Sequence, residues 1–202
     1  MPAARLSVRG SIGTGRLLMW RGGSLWLGRE TGQAVEHAHH AIQLSLAPRG
    51  SVRLRRSDDD PWLEAPGAIA MPDEPHLFDG LGSDVAMLFV EPETTAGRAL
   101  LARFGDRPLS AIDDPGLSGM AEDLLQAFAA KATDETIVAA AHGIIGHLAG
   151  GPTCAAAVDP RIGKALDWMQ ERLDAPITLP QAAAIAHLSP SPFRHLFVAQ
   201  TG

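Results

Sequence analysis

The segment "ITLPQAAAIAHLSPSPFRHLFVAQTG" (residues 177–202) has the spacing of two short helices joined by a tight turn. Thr178 is a candidate N-cap, and Pro180 is tolerated in the first turn of the Ala-rich helix that follows. Ser189 and Pro190 give the same signal at the start of a second helix. The sequence therefore predicts a helix-turn-helix, whose second helix enters a major groove, or else a generic pair of packed helices.

A further helix precedes this pair, because apolar residues follow a helical period at Ile162, Ala165, Leu166, Met169 and Leu173. The whole stretch 161–202 resembles the first half of the DNA-binding domain of AraC/XylS-type transcription regulators. The features that carry the resemblance are this leading helix, the "ITL" entry, the Ala-rich helix, "LSPS" and the final "LF...TG". That family joins two helix-turn-helix units through a long linker helix, so the resemblance implies the first unit of such a pair.

The matching pattern ends with the chain at Gly202, before a second unit. We expect either a truncated form of a regulator or a natural short form that lacks full operator binding. In a third interpretation, the short form is itself a regulatory module. It would sense a ligand and dimerise with full-length partners without holding DNA.

The resemblance also implies roles for the second helix of the pair. It places three side chains against base edges: Ser191, Arg194 and His195. An arginine can bond bidentately to guanine, although a solvated surface arginine has the same sequence signature. Four apolar residues would form the inner face: Leu188, Phe193, Leu196 and Phe197. Val198 and Ala199 stand where many relatives carry basic residues, so we expect weaker DNA affinity than in those relatives.

Charge and composition limit the classes of protein. The net charge is −6, and residues 161–202 carry four basic and three acidic side chains, a net of +1, so charge alone does not indicate DNA binding. Cys154 is the sole cysteine, which excludes an intramolecular disulfide and a thiolate metal cluster. Without a membrane-length apolar run or a signal peptide, the sequence predicts a cytoplasmic protein.

Short apolar runs cut by Gly and Pro extend from residue 5 to about residue 92, and they predict many short strands in a sandwich or barrel. In "SVRLR" (residues 51–55), Val52 and Leu54 share one face of a strand and Arg53 and Arg55 share the other.

Two stretches of this region resemble the motifs of cupins, which implies a cupin-like β-barrel. "HAHHAIQLSLAPRG" resembles the first motif, with Gln in place of the usual Glu, through His37, His39, Gln43 and Gly50. "GAIAMPDEPHLFDG" resembles a degenerate second motif, with a ligand-position residue at His76 and Gly80 where Asn is usual. Alternation along a strand lets His37, His39 and Gln43 point into the barrel together.

We predict an effector pocket at His37, His39, Gln43, His76 and Trp20. The first four of these residues could also hold a divalent metal through imidazole nitrogens and an amide oxygen. Regulators with this domain mostly use it as a metal-free pocket, and replacement of Glu by Gln removes the one anionic ligand. Metal binding, a metal-free effector pocket and purely structural histidines therefore remain open. Trp26 and Trp62 line the pocket or fill the core.

From residue 115 the period becomes helical, and two apolar stripes separated by "KATDET" predict a helical hairpin. The stripes either pack on the strands or form a subunit seam. For the seam we predict the dimerisation residues Leu117, Leu124, Phe128, Ile144 and Leu148.

Together these signals predict an α+β chain: a cupin-like effector-binding domain at 1–110, a dimerising hairpin at 111–150, a linker at 151–160 and an incomplete AraC-type helix-turn-helix at 161–202. The predicted function is a ligand-responsive, DNA-binding transcription regulator, homodimeric and not an enzyme. The alternative is a metal-dependent cupin enzyme or a metal sensor with a His/His/Gln/His site.

Overall fold

The computed structural model describes residues 13–30, 32–151, 159–172 and 175–201, which form a mixed α+β chain. Cys154, Leu173 and most of the predicted linker lie outside these residues. The strands are β1 (Gly13–Trp20), β2 (Gly23–Glu30), β3 (Ile42–Leu46), β4 (Val52–Arg55), β5 (Leu63–Ala65), β6 (Gly67–Ala70), β7 (Leu77–Asp79), β8 (Asp84–Val90) and β9 (Leu109–Ile112). The helices are α1 (Thr95–Phe104), α2 (Pro115–Ala129), α3 (Asp134–Leu148), α4 (Pro160–Gln170), α5 (Leu179–Ile185) and α6 (Pro190–Thr201).

The strands form two antiparallel sheets. The larger sheet has the order β1-β2-β8-β3-β6-β9, and the smaller has the order β5-β4-β7. An apolar core that joins β4, β6, β7 and β8 includes Val52, Leu54, Ala68, Phe78 and Val85. Two sheets with a shared core correspond to the sandwich alternative of the sequence prediction, and no closed ring of paired strands occurs within the described residues.

The alternation predicted for "SVRLR" is confirmed. Val52 and Leu54 are fully buried, whereas the guanidinium groups of Arg53 and Arg55 lie over the ring of Trp62, 4.5 and 4.4 Å from its centroid. Trp62 therefore belongs to the outer side of the small sheet, where its ring can interact with both cations.

The second apolar core lies on the other face of the large sheet, where it joins the sheet to α1, α2 and α3. Asp114 is the N-cap of α2, because its Oδ1 accepts hydrogen bonds from the backbone N–H groups of Gly116 and Leu117 at 2.9 and 3.1 Å. A hydrogen bond from His147, in the last turn of α3, lowers the pKa of Asp114 and ties the two helices at this end. The predicted hairpin thus forms one layer over the sheet.

This packing corrects the predicted subunit seam. Four of its five residues are no more than 1% exposed within the single chain, in the core shared with the sheet: Leu117, Leu124, Ile144 and Leu148. Side chains that are fully buried inside one chain cannot also face a second subunit. Phe128 is half-buried. Dimerisation itself stays a prediction.

The helices α4, α5 and α6 share a third apolar core, which includes Ile162, Ala165, Ala182, Ala183 and Phe193. Among the described residues, no helix is both long enough and apolar enough to cross a membrane.

We expect Leu124→Ala to lower the free energy of unfolding of the N-terminal half by about 2–5 kcal/mol, because the change leaves a cavity at a fully buried site. Chemical denaturation followed by circular dichroism measures this loss. The matched control is Leu81→Ala, since Leu81 is 41% exposed and its truncation leaves no buried cavity. Equal stabilities of the two variants would contradict the position given to α2.

Candidate functional site

A cavity of about 390 Å³ opens on the face of the large sheet opposite the helices. Its wall is mainly apolar, and its polar groups lie together. The apolar lining consists of Leu17, Trp26, Ala34, Phe78, Met87 and Phe89, and the polar lining consists of His37, His39 and Gln43. A mainly apolar cavity with a few convergent polar groups is the usual form of a small-molecule site.

Backbone hydrogen bonds bring the histidines together from distant parts of the chain. His37 and His76 pair as an isolated antiparallel bridge, with N–H···O distances of 3.0 and 2.9 Å. One ring nitrogen from each of His37, His39 and His76 lies within 4.8 Å of the other two. The predicted grouping of these residues around Gln43 is therefore present in the structure.

The ring orientation of each histidine is fixed by a backbone carbonyl group. Each Nδ1 lies 2.8–2.9 Å from a carbonyl oxygen, that of Val35 for His37, Ala41 for His39 and Glu74 for His76. Because a carbonyl oxygen only accepts, Nδ1 must carry the proton in each ring. In a neutral ring of this kind the lone pair would lie on Nε2, which is the nitrogen left to bind a metal ion.

Gln43 completes the polar end of the cavity. Its amide nitrogen donates to the Ser45 hydroxyl at 3.0 Å, and both side chains are buried. The amide oxygen lies 2.9 Å from Nε2 of His39 and 3.4 Å from Nε2 of His76. Hydrogen bonds therefore join the Gln43 amide and the imidazole nitrogens at one place. A metal ion that replaced the protons of these bonds would have the nitrogens and the amide oxygen as ligands. A divalent metal ion fits this donor set, which has the composition that imidazole-preferring metals use.

Burial lowers the pKa of His76 to about 4, and the neighbouring His37 and His39 act in the same direction against the opposing hydrogen bond to Glu74. The ring is therefore neutral at physiological pH, as a metal ligand must be.

A second group of ionisable residues lies outside the cavity. His40 is exposed, and its Nε2 is 2.6 Å from Glu93 and its Nδ1 3.4 Å from Asp73. The hydrogen bond to Glu93, followed by that to Asp73, raises the pKa of His40. Through His40, these contacts join the loop before His76 to the loop after β8.

Trp20, which was predicted to line the effector pocket, does not line this cavity. Its ring packs against His142 of α3, with centroids 5.1 Å apart, on the helix-covered face of the sheet. Trp26 lines the cavity instead, because it lies between Leu25 and Leu27, which both point toward the helices. The alternation of side chains along β2 could have indicated that Trp26 faces the cavity. Phe78, Met87 and Phe89 also line the cavity, but no sequence motif indicated them.

The C-terminal helices present the predicted reading side chains on one surface. Ser191, Arg194 and His195 of α6 are exposed, whereas Phe193 is buried and stacks near Phe197 at 5.4 Å. Small buried alanines allow α6 to approach α5 closely: Ala182 and Ala183 within α5, and Ala186 directly after it. The inner and outer faces of α6 thus agree with the sequence prediction.

Local hydrogen bonds hold this unit in shape. The backbone N–H of Thr178 donates to Gln181 at 2.9 Å at the start of α5. His187 has φ +53°, which turns the chain sharply between α5 and α6. Hydrogen bonds from Arg161 lower the pKa of the α4 cap Asp159 to about 2, and the Asp159 N–H donates to Gln200 of α6 at 2.9 Å.

Comparison with known proteins gives structural neighbours only. No family model and no curated protein matches the chain. The AraC-like transcriptional activator CuxR is 14% identical with a TM-score of 0.46, over 90% of this chain and 73% of that one. ToxT from Vibrio cholerae is 9% identical with a TM-score of 0.37, over 90% and 95%. An RmlC-like cupin protein from Desulfovibrio desulfuricans is 13% identical with a TM-score of 0.33, over 46% and 97%. These values are too low to assign a family or a function.

In metal-free protein, the lowered pKa of His76 makes stability depend on pH. Between about pH 4 and 6.5 the unfolded chain binds more protons at this residue than the folded chain. We expect the free energy of unfolding to be highest above pH 6.5 and to fall toward pH 4, by up to about 3 kcal/mol for this group.

Denaturant titrations from pH 4 to 8 in EDTA measure this dependence. A His76→Gln variant, which cannot titrate at this position, should show a clearly smaller slope over the same range. An unchanged slope in that variant would contradict the buried, neutral state of the ring.

Proposed function

We propose that the chain is a cytoplasmic, DNA-binding transcription regulator, not an enzyme, whose N-terminal half binds a small effector. The observation that carries this proposal is the C-terminal unit. It buries the apolar side of α6 against α5 and leaves Ser191, Arg194 and His195 on the opposite, exposed side. A helix with this arrangement after a tight turn is the reading element of helix-turn-helix proteins.

The cavity in the N-terminal half complements the C-terminal helical unit, because a regulator needs both a ligand site and a DNA-binding element. A regulator needs a ligand that binds one state of the protein better than another, since equal affinity for both shifts nothing. The 390 Å³ cavity, with its apolar wall and its polar end at His37, His39 and Gln43, can hold such a ligand. Pairing of two chains would raise DNA affinity through effective concentration, and we keep the homodimer as part of the proposal.

A second candidate function is a metal sensor or a metal-dependent cupin enzyme. It is favoured by one observation, the convergence of three imidazole rings and the Gln43 amide oxygen on one place. These residues would hold the metal, which would supply a Lewis-acidic charge next to the cavity. The exposed face of α6 has no role in an enzyme of this kind, and we therefore rank the regulator first.

DNA binding is tested by selection from a random duplex library, followed by binding measurements with the enriched sequence. We expect Arg194→Ala to weaken binding to this sequence by about tenfold or more, because one good bidentate contact discriminates by roughly 1–3 kcal/mol. Arg194→Lys keeps the charge but loses the bidentate geometry. It should bind all sequences with similar, weak affinity.

Lys164→Ala serves as the charge-matched control, since it removes one exposed positive charge from α4 rather than α6. It should retain the sequence preference. Failure to enrich any sequence, or equal effects of Arg194→Ala and Lys164→Ala, would contradict the reading role of α6.

A further inference from the structure

Among the residues that the structure describes, none that lines the cavity carries a carboxylate. Its polar lining consists of two imidazoles and an amide, and the adjoining groups are the His76 imidazole and the Ser45 hydroxyl. An imidazole binds a metal ion as the neutral ring. The donor set that faces a bound cation is therefore neutral as a whole. This differs from most protein sites for divalent ions, where at least one anionic ligand offsets the charge.

A divalent ion held by this set would keep its full double charge beside an apolar wall. Burial of an uncompensated charge in such surroundings is costly, and the cost falls when an anion pairs with it. The open volume of the cavity lies next to the polar end. An anion that enters the cavity can therefore reach the ion and reduce its charge.

The remaining wall determines the rest of such a ligand. Trp26, Phe78, Met87 and Phe89 present aromatic and thioether surface to the same cavity. A ligand that suits both ends has an apolar, preferably aromatic, body and a single anionic oxygen group. A carboxylic acid of this kind fits a cavity at the lower end of the roughly 300–1,000 Å³ range of small-molecule sites.

The same acid is poorly suited to the cavity without a metal. The described residues that line the cavity include no lysine or arginine side chain. Without a metal ion, the charge of a carboxylate would therefore lie beside an apolar wall with no opposite charge to pair with. The metal and the acid each remove the obstacle to the other.

We propose that the cavity binds a small apolar carboxylic acid together with a divalent, imidazole-bound metal ion, and that each increases the affinity of the other. The proposal rests on the effector-binding part of the proposed function. Because coupling between two ligands is reciprocal, the factor by which the acid tightens metal binding equals the factor by which the metal tightens acid binding.

Gln43 is the residue that creates this dependence. A Gln43→Glu variant changes little in shape and places a carboxylate at the same position. The metal would then be partly neutralised by the protein itself. We expect this variant to bind metal more tightly without acid and to lose most of the coupling.

The test uses isothermal titration calorimetry on the full chain after EDTA treatment and dialysis. Zn²⁺ is titrated alone, with 4-phenylbutyrate, or with 4-phenylbutyramide, an uncharged ligand of the same shape. For the natural sequence we expect the acid to lower the Zn²⁺ dissociation constant by about tenfold or more, within the usual range of couplings, and the amide to leave it unchanged. In Gln43→Glu the acid should change it by no more than about threefold.

Three results would overturn the proposal: no Zn²⁺ binding with or without acid, equal effects of acid and amide, or equally tight binding of the acid in EDTA. Circular dichroism of Gln43→Glu shows whether that variant is folded. If it is not, the acid–amide comparison on the natural sequence still decides. None of these measurements involves DNA, so their failure is separate from a failure of α6 to read DNA.

Discussion

The alternation of side chains along β3 is the constraint on which the rest of the structure depends. Ile42, Leu44 and Leu46 point toward the helices and are essentially fully buried there. Gln43 and Ser45, between them, point to the other face and are equally buried. A shift of the strand by one residue would bury polar groups under the helices and remove the amide from the cavity. Register in this strand therefore serves both stability and the site.

The same strand has apolar layers on both of its faces, which explains why the helical hairpin belongs to the N-terminal half. The large sheet would expose its row of leucines without α2 and α3. The helices in turn bury their stripes against that sheet, against α1 and against each other. The sequence shows such a stripe clearly, but a stripe specifies a buried face and not the surface that covers it. For this reason the two helices were predictable from the sequence. The surface that covers Leu124 and Ile144 was not, and the predicted subunit seam was wrong for these residues.

The candidate site was predictable to a different extent at each residue. His37, His39 and Gln43 lie close together in sequence, and their motif predicted that they share a site. The strand alternation expected to bring them together does not apply, because β3 begins at Ile42 and both histidines precede it. His76 could be added through its place in a motif, since nothing in a period-two pattern links it to the others. Trp20 was misplaced because its direction depends on which face of β1 meets the helices, a property of sheet order rather than of local sequence. The aromatic wall depends on sheet order in the same way.

The bridge between His37 and His76 also has a consequence for how the site is maintained. These residues lie outside the named strands, and their two backbone hydrogen bonds are flanked by one from Ala34 to Phe78 and one from Asp73 to His39. Opening of this short set of bonds would separate His76 from the other three groups while both sheets stay intact. The site is thus in a local equilibrium between a closed state and an open state without His76. The free energy of this opening is smaller than that of global unfolding. A ligand bound by residues on both sides of the bridge would shift this equilibrium toward the closed state. Slower amide hydrogen exchange at His37 and His76 would report the shift.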